Sequence, residues 1–159
     1  MRGRLSSGRA GISLRARALK YLALREHSRA ELERKLARYA QPDDDIARLL
    51  DELEQAGHLS QARFVDSLVR RRQERYGVRR IEHELGEHAL APSLAGAALQ
   101  ALRAGERERA MAVWARRFKA PPGDLHERAR QHRFLAARGF EADTIAWVLK
   151  TVGASASSR

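Results

Sequence analysis

Apolar residues recur along this chain at the three- and four-residue spacing of amphipathic helices, and one such register appears three times. Its twelve positions are Leu36, Ile46, Leu50 and Leu53, then Leu85, Ala95, Leu99 and Leu102, and finally Leu135, Ile145, Leu149 and Val152. The second and third sets follow the first at shifts of 49 and 99 residues. A near-constant period of this length predicts one supersecondary unit that is used three times.

The first unit is predicted to contain three helices, over Leu14–Arg25, Arg29–Tyr39 and Asp43–Ala56. Ser28 and Glu31 form a capping box, in which each side chain satisfies a backbone amide at a helix start. The third helix has acids at its positive end and a glycine suited to a left-handed stop after it. These residues are Asp43, Asp44, Asp45 and Gly57.

The second unit begins at Ser60, with a helix that carries an apolar stripe from Phe64 to Val69 and ends near Tyr76 and Gly77. A second helix is predicted from Val78, and a proline suits the first turn of the next helix, at Pro92.

The third unit has a helix across Met111–Phe118, followed by a break at Pro121-Pro122-Gly123. Asp124 is the predicted N-cap of a helix that leads to Gly139. The last helix carries the apolar residues from Ile145 to Val152.

These elements divide the chain into five segments: a flexible basic arm at 1–13, repeats at 14–57, 58–105 and 106–152, and a disordered tail at 153–159. The arm holds arginines among glycines and serines, and the tail is rich in alanine and serine. No window alternates strictly between apolar and polar residues, so no sheet is expected. We predict an all-α protein, an elongated curved array of three tandem three-helix, helix-turn-helix-like repeats.

Composition adds a strong positive charge to this picture. The 159 residues include 31 lysines and arginines against 20 acids, a formal charge of +11 that attracts nucleic acid or an acidic protein face. Arginine supplies nearly all of these cations and suits bidentate contacts to phosphate and to carboxylate alike. The arginine content therefore does not distinguish a nucleic-acid partner from an acidic protein partner. No apolar run could span a membrane or serve as a secretory signal, and we expect a cytoplasmic monomer.

Enzymatic chemistry finds little support in the sequence. There is no cysteine, no glycine-rich phosphate loop and no nucleophile elbow. His83 and His88 are five residues apart and so miss the His-Glu-x-x-His spacing of zinc peptidases. We therefore predict that the chain is not an enzyme and needs no metal or cofactor. Trp114 and Trp147 lie in apolar helical stripes and are expected in the core, although either ring could stack on a base.

The polar cluster that most strongly suggests a binding surface is Arg70-Arg71-Arg72 with Arg75, at the end of a helix. Three consecutive arginines sweep about 200° of helix surface, so they cannot all lie opposite the buried stripe. Arg72 continues that stripe and could simply lay its aliphatic stem over apolar surface. Alternatively, the cluster contacts phosphates or carboxylates together with Arg79 and Arg80.

Several short segments resemble the bacterial RecX family. They are Leu32-Glu33-Arg34-Lys35-Leu36 after Ser28, Gly57-His58-Leu59 before Ala62-Arg63-Phe64-Val65, Tyr76-Gly77 with Arg80-Ile81 and Glu84-Leu85, and Phe134-Leu135 with Arg138-Gly139-Phe140. The resemblance covers about Leu14 to Val152 and implies three tandem three-helix repeats. One departure is Ser60-Gln61, where relatives often carry acids.

The resemblance further implies regulation, and more specifically inhibition, of the RecA recombinase. It implies binding within the groove of the RecA–DNA filament, lower ATP hydrolysis, strand exchange and coprotease activity, and some affinity for single- and double-stranded DNA. Bridging of successive protomers would either block subunit addition at a growing end or hinder the rearrangement between protomers. The residues do not separate these mechanisms.

No short site motif can be transferred from the family, so the candidate RecA- and DNA-binding residues are an electrostatic inference. They are Arg25, Arg29, Lys35, Arg70, Arg71, Arg72, Arg75, Tyr76, Arg79, Arg80, Arg116, Arg117, Lys119, Arg130, Arg133 and Arg138. A RecA-independent helical DNA-binding module is the alternative, because helical units and a basic arm suit it as well. No helix gathers Asn, Gln and Arg at its start as a recognition helix does. A purely structural adaptor is a third possibility.

Overall fold

The computed structural model of the protein describes residues 11–157, and over this range the chain forms nine helices and no strand, which confirms the all-α prediction. The helices are α1 (Leu14–Leu24), α2 (Arg29–Ala37), α3 (Ile46–Gln55), α4 (Gln61–Arg72), α5 (Val78–Gly86), α6 (Pro92–Ala104), α7 (Glu106–Arg117), α8 (Leu125–Ala137) and α9 (Ala142–Ser157).

Three apolar cores lie along the chain, each built from three consecutive helices. The first core draws on α1–α3, the second on α4–α6 and the third on α7–α9. Ten of the twelve register positions are buried, and the other two, Ile46 and Ala95, are half-buried. The chain divides into two compact units, Met1–Gln61 and Ala62–Arg159, so the second and third cores share one unit. The residues at which one repeat passes into the next stay a prediction.

Local sequence signals account for most helix ends. Ser28 accepts a hydrogen bond from the Glu31 amide at 3.1 Å, and Asp124 accepts one from the Glu127 amide at 2.7 Å. Gly57 has a φ of +74°, the left-handed conformation predicted for it. These contacts confirm Ser28 and Asp124 as N-caps, and Pro92 begins α6 as expected.

The third helix begins later than predicted, at Ile46 rather than Asp43. Asp44 accepts a hydrogen bond from the Gln41 amide at 2.7 Å and holds a turn before the helix. Asp45 then caps α3 through the Arg48 amide at 3.0 Å. The acids therefore do precede the helix, but two of them belong to the turn and the cap.

The chain ends also differ in part from the prediction. Residues 1–10 of the predicted arm lie outside the described residues, and its last residue, Ser13, caps α1 through the Ala16 amide at 3.2 Å. The predicted disordered tail is wrong over 153–157, because α9 continues to Ser157. Alanine favours helix there, and the Ser155 hydroxyl donates to the Thr151 carbonyl at 3.0 Å. Residues 158–159 lie outside the described residues.

Within the second unit, two glycines bring the start of α5 against the end of α8. The Gly77 amide donates to the Arg138 carbonyl at 2.8 Å, and the Arg79 amide donates to the Gly139 carbonyl at 3.0 Å. A Cβ on Gly77 would overlap the Gly139 carbonyl. Gly139 has a φ of +80°, and a Cβ there would lie 2.6 Å from the Arg80 amide nitrogen. Only glycine allows this approach at either position.

A buried carboxylate joins α5 to two further helices, α7 and α9. Glu106 is only 2% exposed and begins α7. It accepts hydrogen bonds from the Val78 amide at 2.8 Å, from the Thr144 hydroxyl at 2.7 Å and from the Glu141 amide at 3.3 Å. The N-terminal ends of α5, α7 and α9, each with its positive partial charge, therefore meet at one negative group.

In the first unit, a buried histidine lies beside two cations and the Glu31 carboxylate, whose oxygen is 3.8 Å from Nε2. His27 is 1% exposed, and its Nδ1 is 2.9 Å from the Arg25 carbonyl oxygen, to which it donates. The Lys35 ammonium then donates to Nε2 at 2.8 Å, so the ring is neutral. Burial lowers the pKa of His27, and with the charges of Arg25 and Lys35 it outweighs the Arg25 carbonyl and the Glu31 carboxylate, which raise it.

Replacement of Glu106 should destabilise the second unit more than replacement of its exposed neighbour. In Glu106→Gln the side chain keeps its size but loses its charge. Its amide NH2 group is a donor, and it would face the backbone amides and the Thr144 hydroxyl that donate to the carboxylate. We expect a loss of about 2 kcal/mol in the free energy of unfolding, measured by urea titration of the far-UV circular dichroism. Glu108→Gln, in the same helical turn, is the control, and equal stability of the two variants would contradict the role of Glu106.

The His27 environment predicts a fall in stability below neutral pH. Because the folded-state pKa of His27 is lowered, the unfolded chain binds its proton first, near the ordinary value of 6.5. Unfolding free energy should therefore decrease as the pH falls from about 7 to about 5.5. The variant His27→Gln should flatten this dependence, whereas His132→Gln, at an exposed position, should leave it unchanged; an unaltered slope in His27→Gln would count against the assignment.

Candidate functional site

Positive charge is divided unequally between the two units. Residues 11–61 contain nine basic and nine acidic side chains, whereas residues 62–159 contain 19 basic and 11 acidic ones, a net charge of +8. The field that attracts anions therefore comes mainly from the second unit and from the arginines of the first ten residues.

The three candidate residues of the first unit are engaged in ion pairs within it. Arg25 and Lys35 both contact the Glu31 carboxylate, Lys35 at 3.3 Å. Arg29 lies 2.7 Å from Asp51 and 2.9 Å from Glu54. Burial lowers the pKa of Arg29, but its contacts with these two carboxylates outweigh burial and raise it.

Arg72 is likewise paired, with Glu84 on α5. Its guanidinium contacts the carboxylate through Nε at 2.9 Å and Nη2 at 2.7 Å, and this bond raises the pKa of Arg72. The arginine thus joins the end of α4 to α5, which neither sequence interpretation of Arg72 anticipated. Each of these four cations has a carboxylate partner within the protein, and its role in binding stays a prediction.

Five other candidate residues line a single groove in the second unit, which we call the arginine groove. It has a volume of about 530 Å³ and is formed by the turn after α4, by α7 and by the end of α8. Its lining comprises Glu74, Arg75, Tyr76, Val113, Arg116, Arg117, Phe134 and Arg138. Four guanidiniums thus share the groove with one carboxylate, two aromatic rings and one valine.

The guanidiniums of the arginine groove have no carboxylate partner in the part of the chain that the structure describes. Among residues 11–157, no carboxylate oxygen forms an ion pair with Arg75, Arg116, Arg117 or Arg138. Arg116 donates instead to the backbone carbonyl of Glu74. Arg138 donates to the Phe134 carbonyl at 3.2 Å, with its guanidinium carbon 3.7 Å from the ring centroid. These contacts fix the positions of two cations without cancelling their charge.

The other candidates lie outside the arginine groove. Arg70 lines a separate cavity with Asp66, Glu108 and Arg109, and Arg79 and Arg80 line another with Glu82 and His83. Arg71 donates to the Ser67 carbonyl at 3.2 Å. The remaining three are exposed on or after the helices of the third core, namely Lys119, Arg130 and Arg133. The structure therefore does not bring all sixteen residues together.

Sequence reasoning missed three residues that shape the groove. Val113 and Phe134 line it, and Glu106 on α7 accepts a hydrogen bond from the start of α5. In the sequence, the first two are apolar residues of a helical stripe and the third is one acid in a charged run, so nothing distinguishes them from other residues of these kinds. Arg109 was also missed: burial lowers its pKa, and it donates to the Leu102 carbonyl at 2.6 Å.

The tryptophans are placed as predicted, in or against the third core. Trp114 is buried, and its indole nitrogen donates to Gln131 Oε1 at 2.8 Å. Trp147 is half-buried and packs against the same core. Over residues 11–157 the structure has no cluster of three or more side chains suited to a metal ion, and no helix in this range has the length and apolar character to cross a membrane.

Comparison with known proteins gives a consistent result. A family model described as RecX, first three-helix domain, matches residues 15–53, and one described as RecX, third three-helix domain, matches residues 105–149. The chain is 51% identical over 146 residues to regulatory protein RecX of Leptothrix cholodnii, covering 92% of this chain and 93% of that protein. It is 54% identical over 140 residues to that of Herbaspirillum seropedicae, covering 88% and 91%.

The fold also matches a solved structure. A crystal structure of RecX from Lactobacillus salivarius superposes with a TM-score of 0.74 at 20% identity, covering 88% of this chain and 94% of that one. This structural likeness confirms the fold. The sequence identity to the two RecX relatives above is 51% and 54%, and it extends over nearly the whole chain. This chain therefore belongs to the RecX family of regulatory proteins, rather than to a class of enzymes.

Proposed function

We propose that the protein is an inhibitor of the RecA recombinase that binds the groove of the RecA–DNA filament. Family membership supports the target, since its relatives carry the name regulatory protein RecX. The observation that carries the mode of binding is the arginine groove, where four guanidiniums face one carboxylate. Binding lowers ATP hydrolysis, and with it strand exchange and coprotease activity.

The cations of the arginine groove suit a polyanionic partner. Guanidiniums without protein carboxylates can form charge-assisted hydrogen bonds to phosphate oxygens of DNA or to acidic side chains of RecA. Contacts of this kind carry no base sequence information, so direct binding to single- and double-stranded DNA is weak, salt-sensitive and sequence-independent. The protein acts in this way as a cytoplasmic monomer.

The rigid junction of the second unit suits a bridging role. Glu106 and the two glycines hold α5, α7, α8 and α9 in one arrangement, so the groove reaches the filament already formed. A rigid body across successive protomers would block subunit addition at a growing end or resist the rearrangement between protomers that accompanies ATP hydrolysis.

The first test is the rate of ATP hydrolysis by RecA on single-stranded DNA as this protein is titrated. A fall at doses well below the RecA concentration supports filament regulation and favours capping of a growing end. An effect that appears only when the protein covers the DNA would contradict the proposal and indicate a general basic DNA-binding module.

Charge reversal in the arginine groove should weaken this inhibition. The double variant Arg75→Glu with Arg117→Glu replaces two exposed cations that form no ion pair with a described carboxylate. We expect the half-inhibitory concentration in the ATP hydrolysis assay to rise tenfold or more, because each charge-assisted contact contributes about 1.5 kcal/mol or more.

A matched control is available in the first unit, where Lys20→Glu with Arg34→Glu changes the net charge by the same amount at exposed positions. Equal loss of inhibition in both double variants would mean that total charge, not the groove, is responsible. A third pair, Arg70→Glu with Arg71→Glu, tests the face of α4 outside the groove. Circular dichroism should give the same helix content for all three.

A further inference from the structure

The arginine groove has an apolar and aromatic interior as well as its cations. Tyr76, Val113 and Phe134 contribute apolar surface, and the arginines surround it. A site that bound phosphate alone would need only the cations. The combination is complementary to a ligand that has a flat apolar body between negative groups.

Flat surfaces are held in place on both walls of the groove. On one wall, the Arg138 guanidinium lies over Phe134, whose ring also contacts Phe118 at 5.1 Å between centroids, edge to face. On the other wall, Tyr76 is half-buried, and the guanidinium of Arg80, which lines a separate cavity, lies 4.6 Å from its ring centroid. Aromatic rings and guanidinium planes are the surfaces on which unpaired bases stack.

The two walls are also fixed relative to each other. The Gly77 amide donates to the Arg138 carbonyl at 2.8 Å, and Arg116 donates to the Glu74 carbonyl. The turn that carries Tyr76 is therefore tied to α7 and to the end of α8, which carry the rest of the lining. A preformed site loses less conformational entropy when a ligand enters.

We propose that the arginine groove holds one unstacked base of single-stranded DNA, with the flanking phosphates on its arginines. The volume of about 530 Å³ lies within the range of sites for small organic ligands. Duplex DNA does not offer this ligand, because its bases are stacked and paired. An acidic peptide would use the cations but would leave the planar surfaces without a matching group. This inference rests on the proposed function, since it names the ligand of the same groove.

The test separates bases from phosphates. Fluorescence anisotropy compares a labelled oligothymidylate of about 15 nucleotides with an abasic strand of the same length, which keeps every phosphate. We expect the abasic strand to bind at least fivefold more weakly, because stacking of one base contributes about 1 kcal/mol or more. Equal affinity for the two strands would overturn the inference.

Two tyrosine variants localise the effect. Tyr76→Leu keeps apolar bulk and every charge, and should abolish the difference in affinity between the two strands. Tyr39→Leu is the matched control, since Tyr39 is exposed in the first unit and also has a guanidinium, that of Arg17, 3.8 Å from its ring centroid. A persistent base preference in Tyr76→Leu would place the base elsewhere and overturn the assignment.

A measurement on the unmodified protein covers the case in which Tyr76→Leu does not fold. A 2-aminopurine base within the strand should lose fluorescence on binding if it stacks in the groove, and constant fluorescence would contradict the inference. The RecA assay is read separately: wild-type protein that discriminates bases but leaves RecA unaffected contradicts the proposed function alone. Wild-type protein that inhibits RecA but binds both strands equally contradicts the inference alone and indicates that the protein contacts phosphates without holding a base.

Discussion

The arrangement of the second unit depends on compensation of one buried negative charge. A carboxylate removed from water must receive hydrogen bonds or positive charge, and Glu106 obtains both from the starts of three helices. Neither α5 nor α9 can move away from α7 without leaving this charge unsatisfied. The contact between Gly77 and Gly139 adds a steric condition at the same junction. The two walls of the arginine groove are carried by the elements that these constraints hold together.

Pairing within the protein, more than the number of cations, decides where anions can bind. Arg29 and Arg72 carry the same charge as Arg75 and Arg117. The first two are bound to carboxylates, whereas the last two form no ion pair within residues 11–157. A paired guanidinium would have to give up an existing partner to contact phosphate. Residues 11–61 of the first unit hold equal numbers of acidic and basic side chains, so this part of the chain contributes little to the positive field.

Sequence alone predicted the features that local physics determines. Helix periodicity, the caps at Ser28 and Asp124 and the stop at Gly57 involve neighbours within a few positions, and the structure confirms them. Charge alone also selected four arginines that line one groove, namely Arg75, Arg116, Arg117 and Arg138, and their role in binding stays a prediction. What sequence could not supply was long-range pairing: Arg29 with Glu54 is 25 positions apart, and Val78 with Glu106 is 28. No periodic signal marks such partners.

Under the function proposed above, the same long-range contacts would allow individually weak interactions to give a specific regulator. Individual contacts to phosphate are screened by salt and are shared by every basic protein. A groove whose walls are fixed by Glu106 and the glycine pair presents its cations and rings in one geometry, so binding does not have to order them. Selectivity for the filament would then come from the match between the spacing of the groove's arginines and rings and the spacing of phosphates and bases along an extended strand. A protein of equal charge that lacked the contacts of Glu106, Gly77 and Gly139 would lose this selectivity.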